Sequence, residues 1–252
     1  MYFKTLNNFS HGIMFHHFHD NKKHVKGQGS ITQKQFEKVI SHIGRKNILD
    51  AKEFIERYKQ KKLSRKNVCI TFDDSLKCQF DIALPVLEKF KIKAFFFIYS
   101  SALTSKPDLL EIYRHFRHNF FDSIDSFYKE FFASLPANKR KKLDKYFTSN
   151  KKTISNSMNK FQFYSENDVK FRIVRDNYLT KSEYKSVMLK MFKKKRFKFK
   201  NIKDKIFLQK KDVIKLHKLG HEIGLHSHSH PTDLKKLNFK KQYNEYKKNN
   251  LI

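Results

Sequence analysis

From Ile92 to Tyr99 the chain is almost continuously apolar, broken only by Lys93. Successive side chains of a strand point to opposite faces, so a run like this is buried on both, as in a parallel sheet covered by helices. Three more short runs read as strands: Gly12–His16, Val68–Phe72 and Glu222–Leu225. The intervals carry helical periodicity. Thr32 opens a helix with Phe36, Val39, Ile40 and Ile43 on one face, and Gly44 stops it. Asp50 and Glu53 have the spacing of a capping box for a second helix through Phe54, Ile55 and Tyr58. A third surrounds Ile82–Phe90 with Pro85 near its start, and a later one spans Lys211–Leu219 and ends at Gly220. Strands alternating with helices imply an α/β fold with right-handed crossovers.

Between residues 100 and 205 the pattern changes to Phe and Tyr scattered among Lys and Asn. Helical spacing recurs around Leu109–Phe121, Ser126–Leu135 and Ser182–Phe192, while the polar stretch Ser149–Asn159 reads as a loop. The expected organisation is one domain over residues 1–252, carrying a mostly helical insertion at 100–205. A polar helix, Asn238–Asn250, follows the last strand.

Hydrophobic residues make up 39% and charged residues 31% of 252, the balance of a globular chain. The longest strongly apolar run, Ala94–Tyr99, is too short to span a bilayer. The first twenty residues lack the apolar core of a secretory signal, so a soluble cytoplasmic protein is expected. Cys69 and Cys78 offer neither a disulfide framework nor metal-ligand spacing, and Cys69 reads as a small buried hydrophobe. The net charge of +31 invites a nucleic-acid reading. Only nine of the 55 basic residues are arginine, however, and the lysines are spread along the whole chain. Nucleic-acid recognition favours the arginine fork, so no specific nucleic-acid partner is expected. Peripheral contact with an anionic membrane or an acidic polysaccharide is compatible with the charge.

Chemistry concentrates in two segments. Asp73-Asp74 follows the Val68–Phe72 strand directly, and His226-Ser227-His228-Ser229-His230-Pro231 follows Glu222–Leu225. A turn at the end of a parallel strand presents its side chains at the carboxyl edge of the sheet, where α/β pockets form. Adjacent carboxylates repel, and a cation or a shared proton relieves them. One carboxylate with His226 and His230 makes a three-ligand set that leaves a divalent cation an open position. The other carboxylate stays free to act as a general base. Imidazole donors suit Zn2+ first, with Co2+, Mn2+ and Fe2+ also compatible. The i, i+4 spacing of the histidines fits one face of a helical turn. Taken singly, an Asp-Asp turn is more often a solvated cap, and a histidine tract is as often compositional bias. Two such segments, each ending a strand, support one another.

Thr71-Phe72-Asp73-Asp74-Ser75 and His226-Ser227-His228-Ser229-His230-Pro231 resemble the two leading motifs of the NodB-homology polysaccharide deacetylases, with serine where the first motif has glycine. Leu84–Leu87 and Lys93–Phe97 are also similar to that family's next helix and strand. The resemblance implies an incomplete or circularly permuted (β/α) barrel and a metal-dependent hydrolase acting on the amide bonds of N-acetylated amino sugars. It implies Asp73 as catalytic base and Asp74, His226 and His230 as metal ligands. His228 falls on a variable family position. The family's arginine, tryptophan and acid-histidine motifs have no counterpart among the 21 residues after Pro231. Ile13-Met14-Phe15-His16 resembles the leading strand of a permuted branch, which implies His16 as general acid, with His17 as second candidate. Arg172, Arg175 and Asp176 are candidates for the missing arginine pair, against the plainer reading of a surface salt bridge. A catalytically inactive carbohydrate-binding relative is the alternative, with a basic nucleic-acid binder behind it.

Overall fold

The apolar runs pair as a four-stranded parallel sheet in the computed structural model, which describes residues 9–160, 164–199, 202–231 and 234–251. Strands β1 (His11–Phe15), β2 (Val68–Phe72), β3 (Phe95–Ile98) and β4 (Glu222–Leu225) lie side by side in chain order. Phe15 pairs with Phe72, Phe72 with Phe96, and Phe96 with Ile223. Strand order equal to chain order is that of a barrel wall, since a doubly wound sheet reverses at a switch point. All four carboxyl ends therefore lie along one edge.

The chain divides into two compact units, residues 1–111 with 201–252, and residues 112–200. In the first, helices α1 (Gln33–Ile43) and α2 (Ala51–Lys59) link β1 to β2. A π-helical turn, Gln79–Ala83, and helix α3 (Leu84–Lys89) link β2 to β3. Thr32 caps α1 in a full capping box with Gln35. The box expected at Asp50 does not form. Its carboxylate instead accepts from the Lys93 amide at 2.9 Å and from Arg45 at 3.4 Å, which spends the cap on joining α2 to the approach of β3. The strand expected over Ile92–Tyr99 narrows to four residues because the amides flanking it donate to side chains instead of continuing the ladder. The Ala94 amide donates to His221 Nδ1 at 3.0 Å, and the Tyr99 amide to Ser75 Oγ at 3.0 Å. Phe72 stacks on Phe96 with ring centroids 4.7 Å apart, and Phe18 and Phe36 close over Phe72. Gly224 is required where β4 passes β3, since a Cβ there would lie 2.4 Å from the Phe97 ring.

The second unit is helical: α4 (Leu110–Asn119, which begins in the first unit), α5 (Ile124–Ala133), α6 (Ala137–Arg140), α7 (Leu143–Ser149), α8 (Lys151–Lys160), α9 (Glu166–Ile173) and α10 (Lys181–Lys194). Its core is aromatic, with Phe116, Phe127, Phe131 and Phe171 buried together. Residues 149–159, expected as a loop, are mostly helix. Ile154 and Met158, one turn apart, pack against the Val169–Ile173 cluster, so two apolar contacts in a polar segment suffice. The chain returns through α11 (Lys203–Ile206) and α12 (Lys210–Lys218) to β4, and ends in α13 (Phe239–Asn249). No helix among the described residues is long and apolar enough to cross a membrane.

Candidate metal centre

Asp73 and Asp74 leave β2 through a turn in which Asp74 (φ 73°) and Ser75 (φ 55°) both occupy the left-handed region. That conformation costs a non-glycine residue about 1–2 kcal/mol. The surroundings hold it in place. Ser75 is fully buried, its Oγ accepts from the Tyr99 amide, and its carbonyl accepts from the Leu208 amide at 2.8 Å. Gln79, also buried, donates its amide NH2 to the carbonyls of both Asp73 and His16, at 2.5 and 2.9 Å. It thereby fastens the end of β2 to the end of β1.

The histidine segment is not the helical turn expected from its spacing. Ser227 (φ 64°) and His230 (φ 52°) are left-handed, and the backbone loops. The cause is an outside set of partners that replaces helical hydrogen bonds. The His226 amide donates to Ile98 O at 3.1 Å and to Asn249 Oδ1 at 2.8 Å. Glu245 accepts from the amides of His228 and Ser229 and from Ser229 Oγ, at 3.0, 2.7 and 2.8 Å. The Ser101 amide donates to the His228 carbonyl at 2.9 Å, and Ser100 Oγ lies 2.9 Å from His228 Nδ1. His228 is thus engaged in holding the loop.

These two loops bring the expected residues together. Asp74 Oδ1 lies 3.3 Å from His226 Nε2 and 3.0 Å from His230 Nε2. One donor atom from each of the three lies within 4.8 Å of the others. Ligands about 2.0–2.2 Å from a tetrahedral ion stand roughly 3.3 Å apart, so this set fits a divalent metal. Asp73 Oδ2 is 3.9 Å from His226 Nε2, and His16 Nε2 is 3.7 Å from Asp74 Oδ2. His16, Asp73, Asp74, His226 and His230 line one cavity of about 420 Å³, with Ser227, Pro231 and Tyr246.

Electrostatics separate the two carboxylates. Burial pushes Asp74 upward, but hydrogen bonds from His226 and His230 outweigh it and hold the carboxyl far below its ordinary range. Burial raises Asp73; His226 and His16 offset part of this, and the Asp74 charge raises it again. One carboxylate stays ionised while its neighbour holds a proton more readily, the division a ligand and a base require. Burial lowers His230, yet its hydrogen bond to Asp74 and that group's charge leave it raised. The His230 ring stacks on Tyr99 at 4.9 Å, which fixes its plane.

His17 Nε2 is 2.8 Å from Glu111 Oε2, and His17 borders a neighbouring hollow instead of this cavity. Within the helical unit, Arg175 binds Asp176 through Nε and a terminal nitrogen at 2.6 and 2.7 Å, an ordinary salt bridge. Arg172 lies over the Tyr164 ring at 4.1 Å. Cys69 and Cys78 are buried free thiols, and burial pushes Cys69 up to about 12. Gln79, Glu245, Tyr246 and Asn249 are the site residues that sequence reasoning missed. No spacing rule links them to their partners, and the sequence marked Asn238–Asn250 only as a polar helix.

A family model described as polysaccharide deacetylase matches residues 60–120. Poly-β-1,6-N-acetyl-D-glucosamine N-deacetylases from Staphylococcus aureus strains MSSA476 and MRSA252 are 32% identical over 123 residues, covering 43% of this chain and 39% of each relative. The chain thus spans well under half the length of these relatives. Among solved structures, Streptococcus pyogenes deacetylase PplD in complex with acetate aligns over 94% of this chain and 64% of its own, at 14% identity and a TM-score of 0.45. A de-N-acetylase from Aggregatibacter actinomycetemcomitans aligns over 38% and 39%, at 20% identity and a TM-score of 0.30.

Proposed function

We propose that this chain, whose residues 60–120 match the polysaccharide deacetylase family model, hydrolyses N-acetyl groups on amino sugars in a metal-dependent reaction. The observation that carries this reading is the convergence of His16, Asp73, Asp74, His226 and His230 on one cavity from three strand ends, the acidic and histidine loops lying some 150 residues apart in sequence. Asp74, His226 and His230 would hold the cation, Zn2+ first by the character of the donors. When bound, such an ion supplies Lewis acidity, polarising an amide carbonyl and acidifying water.

The remaining chemistry belongs to this chain's own side chains. Asp73, raised by burial, takes the proton from the attacking water as its oxygen bonds to the acetyl carbon. His16, which lines the same cavity 3.7 Å from Asp74, gives a proton to the sugar nitrogen as the C–N bond breaks. Acetate and a free amine result. Gln79 keeps these two groups in step, because it grips the carbonyls of both residues.

The test measures acetate released from N-acetylglucosamine oligomers with added Zn2+ or Co2+. Wild type should turn over and carry about one ion per chain, while Asp73→Asn keeps the ion and loses roughly 100- to 10,000-fold in rate. Equal metal content in wild type and a His226→Ala/His230→Ala variant would remove the proposed centre. Sugar binding without turnover in any metal would instead favour an inactive carbohydrate-binding relative.

A further inference from the structure

Four of the chain's nine arginines stand as two pairs, each spaced three apart: Arg114 with Arg117 on α4, and Arg172 on α9 with Arg175 in the π-helical turn Val174–Tyr178 that continues it. A chain that meets solvent mostly with lysine thus gathers its forked cations on two elements of one aromatic core. The Arg117 and Arg175 guanidinium carbons lie 5.6 and 5.7 Å from the centroid of the same Phe171 ring. Arg117 differs from the others. It is only 9% exposed, and its Nε has no hydrogen-bond partner among the described residues. Burial holds it below its ordinary pKa; Tyr128 opposes this, the Arg114 charge adds to it, and Tyr184 and Arg172 act in the same two senses. No carboxylate is among these strongest influences. Tyr128 supplies no negative charge, because burial and its hydrogen bond to Asp168 keep the hydroxyl protonated. Asp168 also accepts from the Ser165 amide and hydroxyl, at 3.1 Å each, and Asp176 is taken by Arg175.

A buried guanidinium without an anion, pressed by like charges, weighs heavily against a fold, and its contact with the Phe171 ring offsets only part of that. We propose that Arg117, together with Arg114 and Arg172, binds a phosphoryl group, a ligand site built wholly within the helical unit. Three guanidinium forks match the several oxygens and double charge of a phosphomonoester better than the two oxygens of a carboxylate. Arg114 and Arg172 are half-buried, which leaves the cluster open to solvent on their side. Arg175, held by Asp176, shares the ring and is not counted as a ligand. A nucleic-acid backbone fits less well, because it tracks exposed strips of charge, and the guanidinium that lacks a partner here is buried.

Thermal unfolding of the full chain in sodium phosphate, against sodium chloride of equal ionic strength, tests this. Phosphate at about ten times its Kd should raise Tm by about 3 °C or more. Arg117→Met keeps an apolar stem, so it should abolish that rise and leave Tm in chloride unchanged or higher. Arg114→Gln, at a half-buried position, should weaken phosphate binding about tenfold by titration calorimetry. Arg65→Gln, an exposed position of the other unit, should leave phosphate binding as it is, and so should His226→Ala/His230→Ala. The site is refuted if wild type gains nothing over chloride, if Arg117→Met gains as much, or if Arg65→Gln loses as much as Arg114→Gln. Loss of the response in the histidine double variant would put the anion at the metal centre and refute it too. So would an Arg117→Met chain that unfolds below wild type in chloride, since the guanidinium would then stabilise without a ligand. Glycerol 3-phosphate and phosphatidic acid vesicles present the same group from two sources. Arg117-dependent binding of the first alone assigns a soluble phosphomonoester, and of the second alone a lipid headgroup, while binding of neither overturns the site.

Discussion

The two loops that build the centre sit at equivalent places, each just beyond a strand, and each contains two left-handed residues. They are held in different ways. The aspartate loop is fixed from within: Ser75 and Gln79 are buried and bond the strand ends around them. The histidine loop is held from two sides, by Ile98, Ser100 and Ser101 at the end of β3 and by Glu245 and Asn249 reaching across from a helix that starts nine residues after His230. The first is as stable as the sheet it belongs to. The second needs the docking of α13 as well as the sheet. A metal held between the two would therefore couple a rigid half-site to one whose order also depends on a peripheral helix.

The largest expected contrast between the two sides comes with acid. His221 begins the approach to β4, is 1% exposed, and accepts the Ala94 amide through Nδ1. Burial, reinforced by Lys93, lowers it from 6.5 to about 4. In the unfolded chain it takes a proton near pH 6.5, and in the folded chain only near 4. The stability it contributes is therefore complete above pH 6.5 and is lost as pH falls towards 4, by about 3 kcal/mol. Urea unfolding at pH 7 and pH 4 should show this difference between wild type and His221→Gln, which keeps an acceptor without the titration. Hydrogen exchange at pH 5 should release the amides of β4 and the histidine loop before those of β2. Simultaneous release would mean that the two half-sites share one cooperative unit.

Asn249→Ala separates the halves more gently. It removes one of the two acceptors of the His226 amide and a donor to Ile98 O, while touching no ligand atom. Loss of a partner that orients a metal ligand typically costs 10- to 100-fold in affinity. Competition with a chelator should show zinc affinity falling by about that factor, with unfolding stability down by about 1–2 kcal/mol. An unchanged zinc affinity would show that the histidine loop holds its shape without α13.

This asymmetry also explains what the sequence made legible. The strands, the capped helix at Thr32 and both acidic and histidine segments follow from local patterns, because alternation, caps and strand-end turns are encoded by neighbours. The parallel sense of β1 to β4 follows from the same alternation, while their side-by-side order does not, because a doubly wound sheet alternates in the same way. What stayed hidden depends on partners far along the chain. The Asp50 cap was diverted by Lys93, 43 residues away. The helical turn at His226–His230 was displaced by Glu245 and Asn249. Helix α8 needed Val169 and Ile173 to make a polar stretch fold. The i, i+4 spacing of His226 and His230 suggested one face of a helical turn, whereas the two side chains meet across a loop.

The smallest effect tests the rigid side, at the one position of the first motif that departs from the family it resembles. Serine at 75 carries a left-handed backbone that glycine would adopt freely. Substituting glycine relieves about 1 kcal/mol of backbone strain, but a freer unfolded chain takes back a similar amount. It also deletes the Oγ that accepts the Tyr99 amide at a fully buried position, leaving a donor unsatisfied at a cost of about 1–3 kcal/mol. Ser75→Gly should therefore lower stability by about 1 kcal/mol, and Ser75→Ala, which keeps the strain and loses the same bond, by about 2. Denaturant midpoints that place glycine above serine would show that the serine hydroxyl contributes nothing there, and that the aspartate loop is held by the sheet alone.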